Sequence, residues 1–295
     1  MSLLSLLGVA LVVCQAPTAA PSPSASRGEP QKPTVHLSFG VYQTDKATVM
    51  YRSFTPLLDA LQQRVETRLG APVDIQLSIF PSYEDGIEAL CKGRVDFVHF
   101  GPASYVTAKE RNPGVQLLAM EHERGKKRVP GVVIVRAESD IRSLADLSGR
   151  SFAFGDPNST IGRWLVQAEM VKAGLHATDL SSATYLERHD QVAAAVEHGD
   201  FDAGAVKIST FEKANAKNTL RVILTFDNVT KPVIARQGLD PAVFAAIQQS
   251  LFELEDPQLF TDLKISGFTA ATDGDYQFVR EAMKTAAGFE RKRGG

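Results

Sequence analysis

The stretch of residues 151–162 constrains the fold most, because it reads as a short buried strand, a tight turn and the start of a helix. Residues 151–154 (SFAF) are small and β-prone, and Pro157 in the turn that follows fixes φ and offers no backbone donor. Apolar residues then recur at helical spacing until Gly174, which stands where a helix-terminating glycine belongs. A strand that turns directly into a helix is typical of α/β folds.

The start of this helix has the chemistry of an anion site. The first N–H groups of a helix lack partners and carry a positive partial charge. The hydroxyls of Ser159 and Thr160 stand at this start, and Gly162 lets a ligand approach the backbone. These neutral donors converge on one point, as anion binding requires. Taken alone, the stretch fits a simple helix cap by Asn158 or Ser159 equally well.

The composition is that of a soluble globular protein. At 295 residues the chain is long enough for two lobes, and its hydrophobic and charged fractions, 44% and 22%, are ordinary. The net charge is −2, so no basic field points to nucleic acid or to an anionic membrane surface. An anion site in this chain must therefore be formed by a few residues at one place and not by a broad basic surface.

The N-terminal residues 1–33 predict an export segment. The apolar run 3–14 is too short to span a bilayer and has the length of a signal-peptide core. It ends in LVVC (11–14), which is similar to a bacterial lipoprotein box, so lipidation of Cys14 competes with ordinary signal cleavage slightly further on. Residues 15–33 form a Pro/Ser-rich linker. We expect an exported protein, either periplasmic or anchored in a membrane through Cys14.

Strand and helix patterns alternate from residue 34 to residue 120. The predicted strands are 34–42, 73–80, 95–100 and 115–120. This β-α-β-α-β-α-β order predicts a largely parallel sheet with right-handed crossovers, whose ligands bind beyond the carboxyl ends of the strands. Tyr42, Tyr83 and the turn Gly101-Pro102 lie at such ends.

A second α/β pattern follows. Its predicted strands are 131–135, 151–154, 184–186, 201–206 and 220–226, and two amphipathic helices, about 241–254 and 276–289, come last. We predict one lobe from 34–130 together with 235–289, a second lobe from 131–234, and two crossover segments between them.

The order of these motifs resembles that in the substrate-binding proteins of phosphonate, phosphite and phosphate ABC transporters. The motifs are FPSY (80–83), FGP (100–102), FGDPNST (154–160), HD (189–190) and DAGAV (202–206), and the resemblance covers about 34–289. It implies the two-lobed type II periplasmic-binding-protein fold, each lobe a mostly parallel sheet flanked by helices. It also implies a small phosphorus oxyanion in the cleft, delivered to a membrane permease with a separate ATPase. The expected protein is a monomer without metal or cofactor.

The resemblance also implies the ligand contacts. They are Tyr83, Ser159, Thr160, Ile161, Gly162, His189 and Lys231. The two hydroxyls match groups that hold the phosphonate oxygens, and backbone N–H groups complete the cradle. Tyr83 faces the anion from the other lobe, and an adjacent anion would favour the imidazolium of His189.

One departure from the family pattern concerns ligand choice. Relatives that bind aminophosphonates surround the ammonium with carboxylates, and in an ungapped register two such positions fall on Ser209 and Lys231. An ammonium would then meet a hydroxyl and a cation in a closed cleft, which is unfavourable. We therefore predict a preference for phosphite, phosphate or a small alkylphosphonate over aminoethylphosphonate.

Two other classes of protein share parts of this pattern. A phosphate-binding enzyme is disfavoured, because the sequence holds no G-x-x-x-x-G-K-[S/T], G-x-G-x-x-G, nucleophile elbow or H-E-x-x-H motif, and its histidines lack metal-ligand spacing. We predict a binding protein and not an enzyme. A binding module that reports to a membrane sensor stays open, since its closed lobes would present similar surfaces.

Overall fold

The computed structural model describes residues 32–44, 46–123 and 125–290, which build two β-sheets flanked by helices. The predicted export segment, including Cys14, lies outside the described residues. Within the described ranges, no helix is both long enough and apolar enough to cross a membrane.

Strands and helices alternate along most of the described chain. In order they are β1 Val35–Tyr42, α1 Ala47–Leu69, β2 Val73–Phe80, α2 Tyr83–Cys91, β3 Phe97–His99, α3 Pro102–Arg111, β4 Gln116–His122, β5 Gly131–Arg136, β6 Ser151–Phe154, a π-helical turn Thr160–Leu165 continued by α4 Val166–Lys172, β7 Ser182–Tyr185, α5 His189–His198, β8 Ala203–Lys207, α6 Ile208–Ala214, β9 Leu220–Phe226, β10 Pro232–Ala235, α7 Pro241–Phe252, β11 Gly267–Thr269 and α8 Gln277–Ala286.

The first sheet has the order β11-β4-β10-β3-β1-β2. Strand β1 pairs in parallel with β2 and β3, as predicted, but β10 lies between β3 and β4 and pairs with both in antiparallel fashion. The sheet is therefore largely parallel, as predicted, with β10 as an antiparallel insertion between β3 and β4 that the strand order along the chain did not indicate. The reason is connectivity: β4 ends where the chain leaves for the second sheet and β10 starts where it returns, so the two strands run in opposite directions.

The second sheet has the order β7-β6-β8-β5-β9. Strand β6 is parallel to β7 and β8, whereas β5 is antiparallel to β8 and β9. Both sheets are thus mixed, each with one dominant strand direction. The lobe boundaries remain a prediction, and β10, which begins at Pro232 inside the range predicted for the second lobe, pairs with the first sheet.

Helices cover both faces of each sheet, which explains the strongly apolar strands. Helices α1 and α7 pack on one face of the first sheet, and α2 and α3 pack on the other. In the second sheet, α4 covers one face and α5 the other. The last helix, α8, packs against both α3 and α4, so the end of the described chain contributes to both lobes.

Candidate functional site

The helix after β6 begins with a cap made by Ser159. Its backbone is extended, and its Oγ accepts a 3.0 Å hydrogen bond from the N–H of Gly162. In the preceding turn, the Asp156 carboxylate accepts a 2.6 Å hydrogen bond from the N–H of Asn158. Of the two predicted cap candidates, Ser159 is therefore the cap. A hydroxyl that accepts a hydrogen bond still has a proton to donate, so the cap is compatible with an anion contact.

Two glycines bring the turn and the helix start into backbone contact. The N–H of Gly155 donates to the carbonyl of Gly162 over 2.9 Å. A Cβ placed on Gly162 would lie only 2.8 Å from the Gly155 Cα. Because the obstacle is backbone and not a mobile side chain, any larger residue at Gly162 would open this turn.

Thr160 connects the two lobes. Its side chain is buried, and its Oγ1 accepts a 2.9 Å hydrogen bond from the backbone N–H of Ala103, in the first turn of α3. The starts of two helices, α3 from the first lobe and the helix at Thr160 from the second, therefore face each other. The positive ends of both helix dipoles converge there.

Two stacked tyrosines form the first-lobe wall of this site. The rings of Tyr42, at the end of β1, and Tyr83, at the start of α2, lie 3.6 Å apart between centroids at 20°. The Tyr83 hydroxyl lies close enough to the side chains of Ser159 and Tyr42 for both to affect its pKa. The Tyr42 hydroxyl accepts hydrogen bonds from the N–H of Gly101 and from Ser104.

Burial determines the charge state of both tyrosines. It raises the pKa of the Tyr83 and Tyr42 hydroxyls well above the ordinary value, and the negative charge of Asp156 raises both further. Both side chains are therefore neutral at physiological pH and keep a proton that they can donate to an oxyanion. We call this site the cradle. It is formed where Tyr42 and Tyr83 meet Ser159, Thr160 and the first turn of α3.

His189 lies at the start of α5, beside two lysines. Its Nδ1 atom is buried and has no hydrogen-bond partner among the described residues. Burial, followed by the charges of Lys207 and Lys231, lowers the pKa of His189 to about 3, with Asp190 acting in the opposite direction. Without a ligand the imidazole is therefore neutral at physiological pH.

A cavity of about 130 Å³ borders the cradle at Tyr42. Lys207 from the end of β8 and Lys231 from the segment before β10 both line it, together with His99 of the first sheet. This space is called the side cavity below. It places two cations next to a site otherwise built from neutral donors.

The structure brings some predicted residues together and separates others. Tyr83, Ser159 and Thr160 meet in the cradle, and Gly162 lies in the same helical turn. Ile161 turns its side chain into the apolar core of the second lobe, so only its backbone could serve a ligand. His189 and Lys231 belong to the surroundings of the side cavity.

Sequence reasoning missed or undervalued several residues. Tyr42 was noted only for its position at the end of a strand and was not expected to contact the ligand, but its hydroxyl is hydrogen-bonded inside the cradle. Lys207 was not singled out, and it lines the side cavity where Ser209 was expected to face the ligand. The position of Tyr42 at the end of a central strand was a usable signal, whereas nothing local to Lys207 indicated its direction.

A metal site was not expected. Within residues 32–44, 46–123 and 125–290, no three His, Cys, Asp or Glu side chains lie together as a metal site would need.

Comparison with known proteins gives consistent relatives. The phosphate-import protein PhnD of Mycolicibacterium smegmatis is 26% identical over 306 residues, covering 93% of this chain and 91% of that protein. A probable ABC transporter phosphite-binding protein, PhnD1 of Prochlorococcus marinus, is 26% identical over 172 residues, 55% of this chain and 57% of that one. The structure of PhnD1 from that organism in complex with methylphosphonate matches with a TM-score of 0.73 and 20% identity, over 85% of this chain and 98% of that chain.

The structural likeness confirms the predicted two-lobed type II periplasmic-binding-protein fold. A family model described as the periplasmic substrate-binding protein of phosphonate ABC transporters matches residues 39–276, which is most of the described chain. The chain therefore belongs to the family of periplasmic substrate-binding proteins of phosphonate ABC transporters.

Proposed function

We propose that this protein binds a small phosphorus oxyanion, such as phosphite, phosphate or an alkylphosphonate, in the cradle and delivers it to an ABC permease. The observation that carries the proposal is the meeting of two helix starts across the lobes, joined by the 2.9 Å hydrogen bond from Ala103 to Thr160. Each helix start offers N–H donors and positive partial charge, so two that face each other suit an anion held between the lobes.

The side chains of the cradle fit the same ligand class. Ser159 and Thr160 accept hydrogen bonds from backbone N–H groups, and each keeps a proton to donate to a ligand oxygen. Tyr42 and Tyr83 are held in the protonated form by burial and add two further donors. A phosphorus oxyanion has several acceptor oxygens on one small centre, which matches donors that converge from both lobes.

The names of the relatives support this ligand class. One relative is described as a phosphate-import protein, another as a probable phosphite-binding protein, and a structural relative holds methylphosphonate. None of these descriptions names an enzyme, and family membership implies a membrane ABC transporter as partner. We therefore propose transport, by a monomer without catalytic activity, over signalling to a membrane sensor.

Calorimetry with a matched set of anions tests the ligand. Phosphate, phosphite and methylphosphonate are titrated into the protein, with methanesulfonate as a similarly shaped control of lower charge. We expect saturable binding of at least one phosphorus oxyanion and weaker binding of methanesulfonate. The proposal fails if no phosphorus oxyanion binds or if methanesulfonate binds most tightly.

Uptake by cells separates transport from sensing. A strain that lacks this protein should lose high-affinity uptake of the ligand found by calorimetry. Normal uptake together with a lost transcriptional response to the ligand would favour the sensor instead.

Location at the membrane is a separate part of the proposal. The apolar run before Cys14 supports export with a lipid anchor. Firm anchoring needs more than one acyl chain, as a lipoprotein carries. Labelling with a radioactive fatty acid should mark the protein and fail in Cys14→Ala. Equal labelling of both forms would exclude this anchor, and an unlabelled periplasmic product would favour ordinary cleavage.

A further inference from the structure

The side cavity is built by parts of the chain that lie far apart in sequence. Lys207 comes from the second lobe, Lys231 from the segment that returns to the first lobe, and Thr44 and Ser53 from the first lobe. Tyr42 borders both this cavity and the cradle. A ligand held in the cradle could therefore extend a substituent past Tyr42 into this space.

The space is large enough for such a substituent. Its volume of about 130 Å³ is several times the roughly 30 Å³ that a water molecule occupies in the liquid. That accommodates a chain of a few heavy atoms. The lining is polar, with lysines and hydroxyls present beside apolar side chains, so a purely alkyl substituent would desolvate polar groups without replacing their hydrogen bonds.

Two carboxylates near Lys231 or the side cavity also contact other groups. Glu121 lies 2.7 Å from the buried Nε2 of His99 and also accepts a 3.2 Å hydrogen bond from the backbone N–H of Lys231. Asp262, which borders the cavity, forms a 3.4 Å ion pair with Arg52. The backbone contact positions the segment that carries Lys231. Although burial opposes it, interaction with His99 and Lys231 lowers the pKa of Glu121, so this carboxylate shares its negative charge between them.

The pKa of His189 indicates the sign of the electrostatic potential close to Lys207 and Lys231. The lysines at 207 and 231 both disfavour its charged form, which shows that positive potential reaches its buried ring. Asp190 opposes the two lysines without cancelling them. A negative charge in the side cavity would meet complementary potential, and a positive one would meet repulsion.

We infer that the side cavity receives the substituent of the bound oxyanion and favours substituents that carry a second acidic group, as in a phosphonocarboxylate. This inference rests on the proposed function, because the cradle must hold the phosphorus group first. A carboxylate beside Lys231 forms charge-assisted hydrogen bonds, which are stronger than neutral ones. An ammonium at the same place would meet the like charge of Lys231.

Calorimetry with phosphonates of similar size tests the inference on the full-length protein at fixed pH and ionic strength. The substituents are acidic in phosphonoacetate, neutral in propylphosphonate and basic in aminoethylphosphonate, with methylphosphonate as the reference that leaves the cavity empty. We expect phosphonoacetate to bind at least about tenfold more tightly than propylphosphonate. Aminoethylphosphonate should bind most weakly.

Three variants test whether Lys231 causes the preference for an acidic substituent. Lys231→Met should reduce the ratio of phosphonoacetate to propylphosphonate affinity at least about fivefold, since it keeps side-chain length and removes the charge. Lys231→Arg should keep the ratio above one. Lys217→Met, at an exposed lysine just before β9, should leave it unchanged. Thermal unfolding confirms that each variant is folded.

The outcomes separate the inference from the proposed function. If methylphosphonate binds but phosphonoacetate is no tighter than propylphosphonate, the inference is wrong and the proposed function stands. The same conclusion holds if Lys231→Met keeps the full preference. If no phosphorus compound binds at all, the proposed function fails and the inference fails with it.

Discussion

The cradle and the side cavity are neighbours that handle charge in opposite ways. The cradle consists of neutral donors that are deeply buried, with Ser159 and Thr160 only 4% and 6% exposed. The side cavity presents lysines that keep contact with solvent. Tyr42 borders both sites.

The difference shows which groups a site between two lobes can bury when only protein groups surround them. Backbone N–H groups and hydroxyls can pair with each other, as Gly162 does with Ser159 and Ala103 does with Thr160. An ammonium has no acceptor capacity and loses much more free energy when it leaves water, so it stays near the rim. The cradle is therefore suited to fix the position of an oxyanion, and the lysines are suited to choose among its substituents.

The largest expected effect is the loss of the cradle hydroxyls. The double change Ser159→Ala, Thr160→Ala removes two hydrogen bonds to a charged ligand, each contributing roughly 1.5–3 kcal/mol, so affinity should fall at least about a hundredfold. Calorimetry with the best phosphorus oxyanion measures it. The matched control is Ser182→Ala, Thr184→Ala, which removes exposed hydroxyls from β7 of the same lobe. Unchanged affinity in the first double variant would show that the anion binds elsewhere.

A smaller loss is expected from Gly162→Ala. The new Cβ would meet the backbone of Gly155 at 2.8 Å, so the turn must open at a cost of about 1–3 kcal/mol in stability, and the N–H groups of the helix start must shift. Chemical denaturation should show the destabilisation, and binding should weaken by about tenfold or more. Gly274→Ala is the control, because its nearest neighbour is Thr272 Oγ1 at 3.6 Å. A Gly162 variant with wild-type stability and affinity would contradict the backbone contact.

Exchange of charge at Lys231 should change selectivity more than overall affinity. The wild-type protein should bind methylphosphonate at least about tenfold more tightly than aminoethylphosphonate, a difference that needs only about 1.4 kcal/mol. Lys231→Asp should move this ratio toward the amine, since a carboxylate would face the ammonium. Competition binding at fixed pH measures both ratios. Equal or tighter binding of aminoethylphosphonate by the wild-type protein would contradict the role of the lysine.

The smallest expected effect concerns pH. In the ligand-free protein the pKa of His189 is about 3, whereas an unperturbed histidine titrates near 6.5, so between these values the unfolded chain binds the extra proton. This group therefore lowers stability as pH falls from about 6.5 toward 3, and contributes no pH dependence above that window. His189→Gln should weaken the pH dependence.

Urea unfolding at pH 5 and pH 7 measures this effect. His198→Gln, at the exposed far end of α5, is the control and should behave like the wild-type protein. Because a bound dianion opposes the field of Lys207 and Lys231, saturating ligand should raise the pKa of His189 and reduce the difference between the variants. Identical pH dependence in His189→Gln and wild type would show that the imidazole is not shielded in this way.

Local signals predicted much of the fold. Helical periodicity and terminal glycines indicated α1, α2 and the helix after β6, because caps and apolar spacing act within a few residues. The glycine at 162 and the hydroxyls before it indicated the second-lobe half of the cradle for the same reason, since one turn of chain contains all of it. The resemblance to a known family added the two-lobed arrangement and the opposing tyrosine.

The sequence by itself thus determined the elements, their order and the donor-rich helix start. Tertiary structure decided that β10 enters between β3 and β4, that Thr160 accepts from Ala103, and that Lys207 and Lys231 share one cavity. Each of these facts joins parts of the chain that are distant in sequence. Strand pairing, interlobe hydrogen bonds and the direction of a long side chain depend on packing of the whole chain, which no local pattern encodes.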